Sequence, residues 1–549
     1  MRKTCKQCTS DFEITKKDLV FYDKISPVIS GKKYPLPPPT LCNTCRHKRR
    51  LAFRNERNLY QRTCDLTQKK IISIYSSDKK NKVYSQETWL SDQWDPLEYG
   101  KDMDFSRPFF EQLNELSIAV PHPGAGYRSN SENCDYTTYQ NHSKNCYLTS
   151  GSGFMEDCAY TNWSYYAKNS YDLLGSNEIE FSYNLVDCKK MYSCKNCQDC
   201  SDLADCDYCY DCHSCQNCFG CVRLRHKKFC FLNEQITETE YKEKIKDMNL
   251  KKFQKDFDAL KISTPHRAVF HLNCEHCTGD HLVNCKNVID SFQMSKSQDC
   301  RFNADIIENK DCYDCDRTGI SELAYECIGG GWYNNSKFCL AGNVNSECYY
   351  SLFCFNSKNI FGSVALRYKE YCILNKRYRK EEYEKIVPKI IELMEKTGEW
   401  GEFLSIQFSP FAYNETLAME YFPMEQEQAL QKGLKWQQKD NKNYLPQTYK
   451  IPSTIKEVND SIIGQILACR DCGKNYQIIT MELKFYRSMN IPIPLMCPDC
   501  RHKKRMKLRN PRRLWTRKCN RCNSEIQTTF SPDRPETVYC EKCYLETLY

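Results

Sequence analysis

The chain has 549 residues, a formal net charge of +9 and 38 cysteines. A chain of this length is too long for one hydrophobic core and is expected to divide into several domains. It has no run of about 18 apolar residues to span a membrane, and its first residues, MRKTCKQCTSDF, form no apolar signal segment. This combination predicts a cytoplasmic protein whose thiols bind metal or pack as free side chains.

The first module, residues 1–63, contains two CxxC pairs, Cys5/Cys8 and Cys42/Cys45. Two such pairs supply the four thiolates of a closed tetrahedral zinc site, and the length between the pairs can vary. The basic stretch RHKRRLAFRNERNLYQR follows Cys45 and is free of Gly and Pro, which predicts a helix. A zinc hairpin whose last ligand pair opens a helix resembles a treble clef, and the segment resembles a family of probable treble-clef zinc ribbons.

Residues 64–89 read as a β-hairpin, with β-branched and aromatic residues on either side of Ser-Ser-Asp. We predict that this hairpin is zinc-free and held by Ile72, Ile74, Tyr75 and Val83. Residues 90–130 combine a short amphipathic helix with Pro-bounded loops and are expected to cap the repeat array that follows, because an open coil end leaves strands unpaired.

Residues 131–236 repeat with a period of twelve. Small residues recur at every third position, and Asn or Asp commonly precedes the first residue of a row. The pattern predicts a narrow β-solenoid with about 12 residues per coil, with small side chains inward and Asn or Asp at corners. The first residues of the rows are Cys134, Cys146, Cys158, Ser170, Ser182, Cys194, Cys206 and Cys218. This spacing resembles the twelve-residue solenoids of insect antifreeze proteins in coil geometry only, because no outward Thr-x-Thr array recurs.

The three-residue period by itself produces CxxC pairs such as Cys194/Cys197. We interpret these cysteines as buried structural thiols, since buried Cys acts mainly as a small apolar side chain. Metal binding and redox chemistry are the alternatives.

Residues 237–264 are predicted to form a helix that opens with the capping box Thr237/Glu240. A second solenoid follows at 265–376 and a second helix at 377–398. A shift of 142 in the numbering superposes the ends of the two arrays, so the middle of the chain is an internal duplication. Among the matched residues are Phe219, Arg225, Cys230 and Tyr241 on Phe361, Arg367, Cys372 and Tyr383. Residues 399–460 are interpreted as a partly ordered linker.

The carboxy-terminal end repeats the amino-terminal one at a shift of 455. Residues 461–518 carry a second four-Cys site with a basic helix, and residues 519–549 carry a third site. Under the same shift Thr67, Ser85 and Thr88 stand where the third site has ligands, which explains the zinc-free hairpin. We therefore predict three structural zinc ions, the second and third being held by Cys469, Cys472, Cys497, Cys500 and by Cys519, Cys522, Cys540, Cys543. The fold class is thus multidomain and mainly β, with a duplicated central β-solenoid between small zinc-ribbon or treble-clef modules.

The whole pattern, with ribbons at both ends and a Cys-rich middle, resembles a set of large uncharacterised Cys-rich proteins of small-genome candidate-phyla bacteria. The resemblance spans nearly the full chain. It implies no activity.

Two stripes of arginine are the candidate binding residues. Residues 42–62 carry seven basic residues against one acidic residue, and residues 497–518 carry ten against one. The stripes suggest phosphate-backbone contact by two basic helices at opposite ends of a rigid rod. The alternative is that they pack across their own module or pair with the acidic middle. The residues are Arg46, Arg49, Arg50, Arg54, Arg57, Arg501, Arg505, Arg509 and Arg512.

Three functions remain open. The first is a non-enzymatic zinc scaffold that binds nucleic acid, with RNA slightly favoured over DNA. The second is a scaffold that binds a protein assembly through the solenoid face. The third and least favoured is a thiol- or metal-handling protein, because all three four-Cys sites are closed.

Overall fold

The computed structural model describes residues 1–246, 248–438 and 443–548. It contains about 20 solenoid turns of about 12 residues each, few helices, and cysteine clusters at both ends of the chain. The predicted fold class is therefore confirmed.

The amino-terminal four-cysteine module, residues 1–63, is built from two short antiparallel hairpins and two helices. Helix α1 begins after Thr15, whose side chain accepts from the Asp18 amide while the Asp18 carboxylate accepts from the Thr15 amide. Helix α2 begins after the third ligand, Cys42. The elements are strands Arg2–Thr4, Asp11–Glu13, Val28–Ile29 and Lys32–Lys33 and helices α1 (Lys16–Ile25) and α2 (Asn43–Leu51).

A hairpin is present, but not with the predicted turn at Ser-Ser-Asp, because Tyr60–Thr63 pairs antiparallel with Lys70–Ser73 and the turn falls at residues 64–69. Ile74, Tyr75 and Val83 are fully buried against Phe411, as expected, whereas Ile72 is only partly buried and lies outside this cluster. We keep the name zinc-free hairpin for residues 60–89. Its last short strand pairs in parallel with residues that lead into the first solenoid, where Val83 lies opposite His122. The elements up to the solenoid are strands Tyr60–Thr63, Lys70–Ser73, Val83–Tyr84 and His122–Pro123, helices α3 (Gln86–Leu90) and α4 (Phe109–Ala119), and the 3-10 turn Pro96–Tyr99.

The solenoid backbone turns at every third residue. From Asn184 to Asn217, the residues at this spacing have φ between 50° and 56°. Left-handed backbone is costly for most side chains and tolerated best by Asn and Asp. Asn and Asp side chains at the corners also form hydrogen bonds between neighbouring coils. For example, Asn145 Nδ2 donates to Asp157 Oδ1 at 2.9 Å. Four such corners close each twelve-residue turn. The corners predicted from sequence are all left-handed: Asn133, Asn145, Asp157, Asn169, Asp205 and Asn217.

Successive coils pair in parallel with a register of twelve, as in Asn141 opposite Gly153 and Lys358 opposite Glu370. The duplication gives two separate sheets. We call the coils from residue 129 to 235 the first solenoid and those from 271 to 377 the second solenoid. The strands of the first are Ser129–Glu132, Asn141–Lys144, Gly153–Glu156, Tyr165–Lys168, Tyr171–Leu174, Asn177–Glu180, Tyr183–Val186, Lys189–Tyr192, Ser201–Ala204, Gln216–Phe219, Lys228–Phe231 and Glu234–Gln235. Those of the second are His271–Leu272, Gly279–Val283, Lys286–Ile289, Ser291–Ser295, Gln298–Arg301, Ala304–Lys310, Asp316–Glu322, Ile328–Asn334, Leu340–Tyr349, Lys358–Phe361, Glu370–Ile373 and Lys376–Arg377.

The two solenoids lie side by side and run antiparallel. Tyr127, just before the first solenoid, stacks on Phe355 at 4.3 Å, and the Arg317 guanidinium lies 4.6 Å from the Trp163 ring. Farther along, His281 Nε2 lies 3.0 Å from Asp199 Oδ1. Residue numbers rise along one solenoid in the direction in which they fall along the other. The start of the first solenoid therefore lies beside the end of the second.

Each solenoid ends against helical segments. The charged stretch after the first solenoid forms α5 (Glu238–Lys246) and α6 (Leu250–Ser263), and the short strand His266–Arg267 follows. The second solenoid is followed by α7 (Lys380–Thr397), which ends at Gly398 in left-handed conformation, φ 75°. Both predicted helical regions are therefore present.

The interpretation of residues 399–460 as a linker is wrong for its first part. Trp400, Phe403, Tyr413 and Leu417 are buried in the largest hydrophobic core, which also contains residues of both the amino-terminal module and the second solenoid. The aromatic side chains of this segment supply the large apolar area that this core buries. The segment contains 3-10 turns Ile406–Phe408 and Tyr413–Glu415, helices α8 (Leu417–Tyr421) and α9 (Gln426–Gln431), and later the turns Ile455–Glu457 and Asp460–Ile462.

The carboxy-terminal four-cysteine module, residues 461–518, has the plan of the amino-terminal one, and the terminal ribbon, residues 519–548, follows it. Val538 of the terminal ribbon pairs with His266, just as Val83 pairs with His122. The elements are strands Leu467–Ala468, Asn475–Tyr476, Trp515–Lys518, Glu525–Thr528 and Val538–Tyr539 and helices α10 (Thr480–Ser488), α11 (Pro498–Leu508) and α12 (Glu541–Glu546).

Candidate metal centres and arginine interfaces

The twelve cysteines predicted as ligands form three groups of four. Within each group the sulfur atoms lie within 4.8 Å of one another, so each group could hold a metal ion. The Sγ–Sγ distances are 3.7 Å for Cys8–Cys42, 3.7 Å for Cys472–Cys497 and 3.8 Å for Cys522–Cys540. A tetrahedral ion with metal–sulfur bonds of about 2.3 Å requires sulfurs about 3.8 Å apart. The thiols thus fit a four-coordinate metal.

The third ligand of each group stands at the amino end of a helix: Cys42 before α2, Cys497 before α11 and Cys540 before α12. Helix amino ends favour negative charge and therefore thiolate. Hydrogen bonding from Cys45 lowers the pKa of Cys42 to about 6, against the effect of burial. Hydrogen bonding from Ser524 likewise lowers the pKa of Cys522 to about 6. Burial instead raises the pKa of Cys497 to about 11, so metal binding itself must complete the deprotonation of these groups.

The zinc-free hairpin keeps the same local geometry without the ligands. The Ser85 amide donates to Cys64 Sγ at 3.4 Å, as the Cys497 amide does to Cys469 Sγ and the Cys540 amide to Cys519 Sγ, both at 3.2 Å. Ser85 Oγ then donates to Thr88 Oγ1 at 2.8 Å. Hydroxyl hydrogen bonds thus stand where the four-cysteine groups could hold a metal ion, which accounts for a folded hairpin with one remaining cysteine.

Restoring the three missing ligands should create a fourth metal site. We expect the Thr67→Cys/Ser85→Cys/Thr88→Cys variant to bind one more metal ion than the wild-type protein, because the backbone already has the required arrangement. Elemental analysis of the purified protein gives the count. The double variant that leaves Ser85 unchanged is the control and should bind no additional ion tightly, and an unchanged count in the triple variant would contradict the proposed geometry.

Most solenoid cysteines are buried thiols, and their contacts with the backbone fit the interpretation of them as structural. All 38 cysteines of the chain are free. Cys188 Sγ lies within hydrogen-bond distance of two carbonyl oxygens, those of Val186 at 3.3 Å and Cys197 at 3.4 Å, either of which can accept its one hydrogen. Ser176 at an equivalent position donates to the Leu174 carbonyl and accepts from the Cys188 amide, each at 3.2 Å. Burial raises the pKa of Cys158 to about 12. Inward Cys and Ser side chains thus both form hydrogen bonds with backbone groups.

The prediction that the arginines of α2 reach phosphate is wrong, because they are buried in ion pairs with the second solenoid. Arg46 and Arg50 are 1 % and 0 % exposed. Arg46 Nη2 lies 2.9 Å from Asp314 Oδ2, and Arg50 Nε lies 2.8 Å from Asp316 Oδ2. Burial would raise the pKa of Asp316, but His47 and Arg50 hold it below its usual value. These side chains pair with the acidic middle of the chain, which was the alternative interpretation.

The remaining amino-terminal arginines are also engaged. Arg49 Nη2 lies 2.7 Å from Glu326 Oε1. Arg54 Nε lies 2.6 Å from Glu56 Oε1, with its guanidinium 3.9 Å from the Tyr139 ring.

The arginines of α11 pair with the first solenoid in the same way. Arg501 Nε and Arg505 Nη1 lie 3.1 Å and 2.8 Å from the two oxygens of Asp172. Just after α11, Arg509 Nε lies 2.7 Å from Asp187 Oδ2 of the first solenoid, whereas Arg512 pairs with Asp305 of the second solenoid. A phosphate group would have to displace these carboxylates.

The two interfaces are copies of each other. The shift of 142 that relates the two solenoids places Asp172 on Asp314 and Tyr171 on Tyr313. Phe21 of α1 stacks on Tyr313 at 3.7 Å, and Phe485 of α10 stacks on Tyr171 at 4.0 Å. Each terminal module therefore docks on the solenoid that is farther from it along the chain.

The expectation of basic helices at opposite ends of a rod is also wrong. Arg57 Nη2 lies 3.0 Å from Asp499 Oδ1, in the first turn of α11. The two modules thus meet, because antiparallel solenoids bring both docking sites to one region of the molecule.

Sequence reasoning missed the acidic partners. Asp172 and Asp314 occupy the same position of the two repeats, next to the matched Tyr171 and Tyr313. Both are left-handed corner residues and both are fully buried, where an acidic side chain is unusual. Extending the shift of 142 through the whole array would have found them.

A fourth group, Asp187, Asp199 and His281, also has ligand atoms within 4.8 Å of one another. Arg509 already donates to both oxygens of Asp187. Burial opposes protonation of His281, but Asp280 and Asp199 hold its pKa well above the usual value. Arg509 and protonated His281 therefore balance the charge of the carboxylates in this group. We interpret it as an ion-pair network.

Among the residues that the structure describes, no helix is long and apolar enough to cross a membrane. No protein-family model matches the chain, and a search of curated proteins finds no match either, so the comparisons assign it to no family.

Proposed function

We propose that the protein is a non-enzymatic, zinc-stabilised scaffold that binds a protein partner through the outer face of the second solenoid. Zinc is the metal favoured by four thiolates in tetrahedral arrangement, and a site closed by four protein ligands leaves no position for a reacting water. Burial of the arginines removes the main support for nucleic-acid binding.

The observation that carries the proposal is a ladder of exposed apolar side chains. Ile320, Trp332 and Val344 are 44 %, 52 % and 48 % exposed. They are spaced by twelve residues and follow Gly319, Gly331 and Asn343, which pair in register. Adjacent strands are about 4.8 Å apart, so these side chains form one continuous stripe.

The surroundings of this stripe suit a protein rather than a polyanion. Lys310 and Glu322 lie 3.4 Å apart, and Lys296 and Glu308 lie 2.8 Å apart. These pairs cancel in charge. A contiguous exposed apolar surface with a neutral polar rim is typical of a protein-binding site, and exposed Trp is commonly its strongest contributor.

The test is capture of partners from a lysate of the source organism on the immobilised full-length protein. Trp332→Ser should reduce retention of a specific partner more than tenfold, because truncation of a central Trp typically costs about 2–4 kcal/mol. Tyr192→Ser is the control, since Tyr192 is 53 % exposed and lies on the first solenoid, away from the stripe.

Retention that is identical in the two variants would contradict the proposal. So would binding of RNA or DNA to the wild-type protein with a steep dependence on salt, which would return nucleic acid as the partner.

A further inference from the structure

The duplication creates two equivalent crevices, each between a solenoid, a four-cysteine module and a capping helix. Phe109 of α4 packs over Gly362 so closely that a Cβ there would lie 2.4 Å from its ring, and Phe253 of α6 packs over Gly220 at the same distance. Gly220 and Gly362 are matched by the shift of 142 between the solenoids. Helices α4 and α6 therefore cover equivalent crevices.

The first crevice is filled by the chain itself. It is lined by Phe53, His122 and Leu352 and is occupied by Leu404, Phe408 and Phe411 of the segment after α7. The remaining cavity is about 20 Å³. Its apolar lining matches its apolar occupant.

The second crevice is open. Its lining includes Leu508, His266 and Tyr210, which correspond to Phe53, His122 and Leu352, but no counterpart of the 404–411 segment enters it among the described residues. The cavity is about 440 Å³, within the range of small-molecule sites, which is about 300–1,000 Å³.

The lining has changed from apolar or neutral to ionisable. Asp258 and Lys261 of α6 stand where α4 has Asn114 and Ser117, and all four line their crevices. Asp199 of the second crevice corresponds to Ala341. Such groups are costly to desolvate without a partner, so this lining suits a polar occupant.

The carboxylates of the cavity are largely matched. Asp187 accepts from Arg509, and Glu536 accepts from Arg534 at 3.1 Å. Asp280 accepts from the Phe270 amide at 2.7 Å and from Thr529 at 2.9 Å.

Several cationic side chains line the cavity. Arg512 Nη1 is buried and makes no hydrogen bond, and its side chain is 7 % exposed. Lys261 Nζ lies 4.5 Å from the centre of the Tyr210 ring and interacts electrostatically with Asp199, Asp258 and Glu536, but it forms no direct ion pair among the described residues. Lys507 is exposed and also lines the cavity. One buried guanidinium donor and two lysines without a direct ion pair therefore line one cavity.

We propose that this cavity binds a small organic anion through a carboxylate or phosphate group, held by Lys261, Lys507 and Arg512. Charge-assisted hydrogen bonds from these donors supply the specificity, and the rings of Tyr210, Phe292 and Phe530 supply apolar contact. The site is independent of the exposed ladder on the second solenoid.

The test is isothermal titration of the full-length, metal-loaded protein with citrate, inorganic phosphate and AMP, and with adenosine as the neutral counterpart of AMP. We expect saturable one-to-one binding of at least one anion. Lys261→Gln should weaken it about tenfold or more, since one charge-assisted hydrogen bond is lost. Lys507→Gln should also weaken it.

Lys503→Gln is the matched control, because Lys503 lies on α11 and is exposed but does not line the cavity. Its affinity should equal that of the wild-type protein. Failure of all three anions to saturate at millimolar concentration, adenosine binding as tightly as AMP, or equal effects of the Lys261 and Lys503 variants would each overturn the proposal.

Discussion

Asp314→Ala is expected to lower the free energy of unfolding by about 3–5 kcal/mol and to release the amino-terminal four-cysteine module from the second solenoid. The carboxylate pairs with Arg46 and Arg50, both of which lie in the interior. Its removal leaves guanidinium groups buried with too little negative charge, and uncompensated buried charge is far more costly than loss of an exposed pair. Urea unfolding followed by circular dichroism gives the change.

Asp172→Ala should have a comparable effect at the other interface, because Asp172 pairs with Arg501 and Arg505. Asp202→Ala is the control. The Asp202 side chain is 50 % exposed and lies 3.9 Å from Lys190 Nζ, so loss of its ion pair should cost less than about 1 kcal/mol. Asp202 and Asp314 are both left-handed corner residues, so both variants carry the backbone cost of a left-handed Ala, and the difference between them measures the buried ion pairs. Equal effects of Asp314→Ala and Asp202→Ala would show that the arginine interfaces do not hold the modules in place.

Cys472→Ser is expected to reduce the bound metal by one ion and to unfold the carboxy-terminal four-cysteine module. Structural zinc contributes its binding free energy to folding, and this amounts to about 10 kcal/mol at neutral pH. Cys472 is exposed, so the substitution itself disturbs little packing. Because Cys497 of the same site opens α11, loss of the metal also loosens the helix that carries Arg501 and Arg505.

Elemental analysis and limited proteolysis measure these two effects. New cleavage sites should appear between residues 461 and 518 and not between 1 and 63. Cys277→Ser is the matched control, since Cys277 is a partly exposed thiol of the second solenoid outside the three metal groups. Unchanged metal content in Cys472→Ser would contradict the interpretation that four cysteines bind a metal ion at this site.

The sequence predicts the coil and the metal groups well because both depend on local spacing. An inward position every third residue determines the twelve-residue register, and a CxxC knuckle determines where two sulfurs lie. The loss of ligands at Thr67, Ser85 and Thr88 was visible in the same way, since the comparison needed only one shift along the chain.

The packing of the two solenoids and the docking of the modules were not predicted. These depend on pairs such as Arg46 with Asp314, which are 268 residues apart. An arginine stripe looks the same in sequence whether its partner is a phosphate or a distant carboxylate. The aromatic residues after Gly398 were likewise misread, because their partners lie in the amino-terminal module and the second solenoid.

Because each terminal module docks on the solenoid that is farther from it along the chain, the two interfaces form at different times during synthesis. The amino-terminal module is complete long before Asp314 is synthesised, and at about 5–20 residues per second the 268 intervening residues take roughly 15–50 seconds. During that interval the arginines of α2 are exposed to solvent, because their carboxylate partners have not yet been synthesised. The carboxy-terminal module emerges when Asp172 is already in place and can dock at once. A native structure with two equivalent interfaces is thus built from a nascent chain in which only the first module must wait.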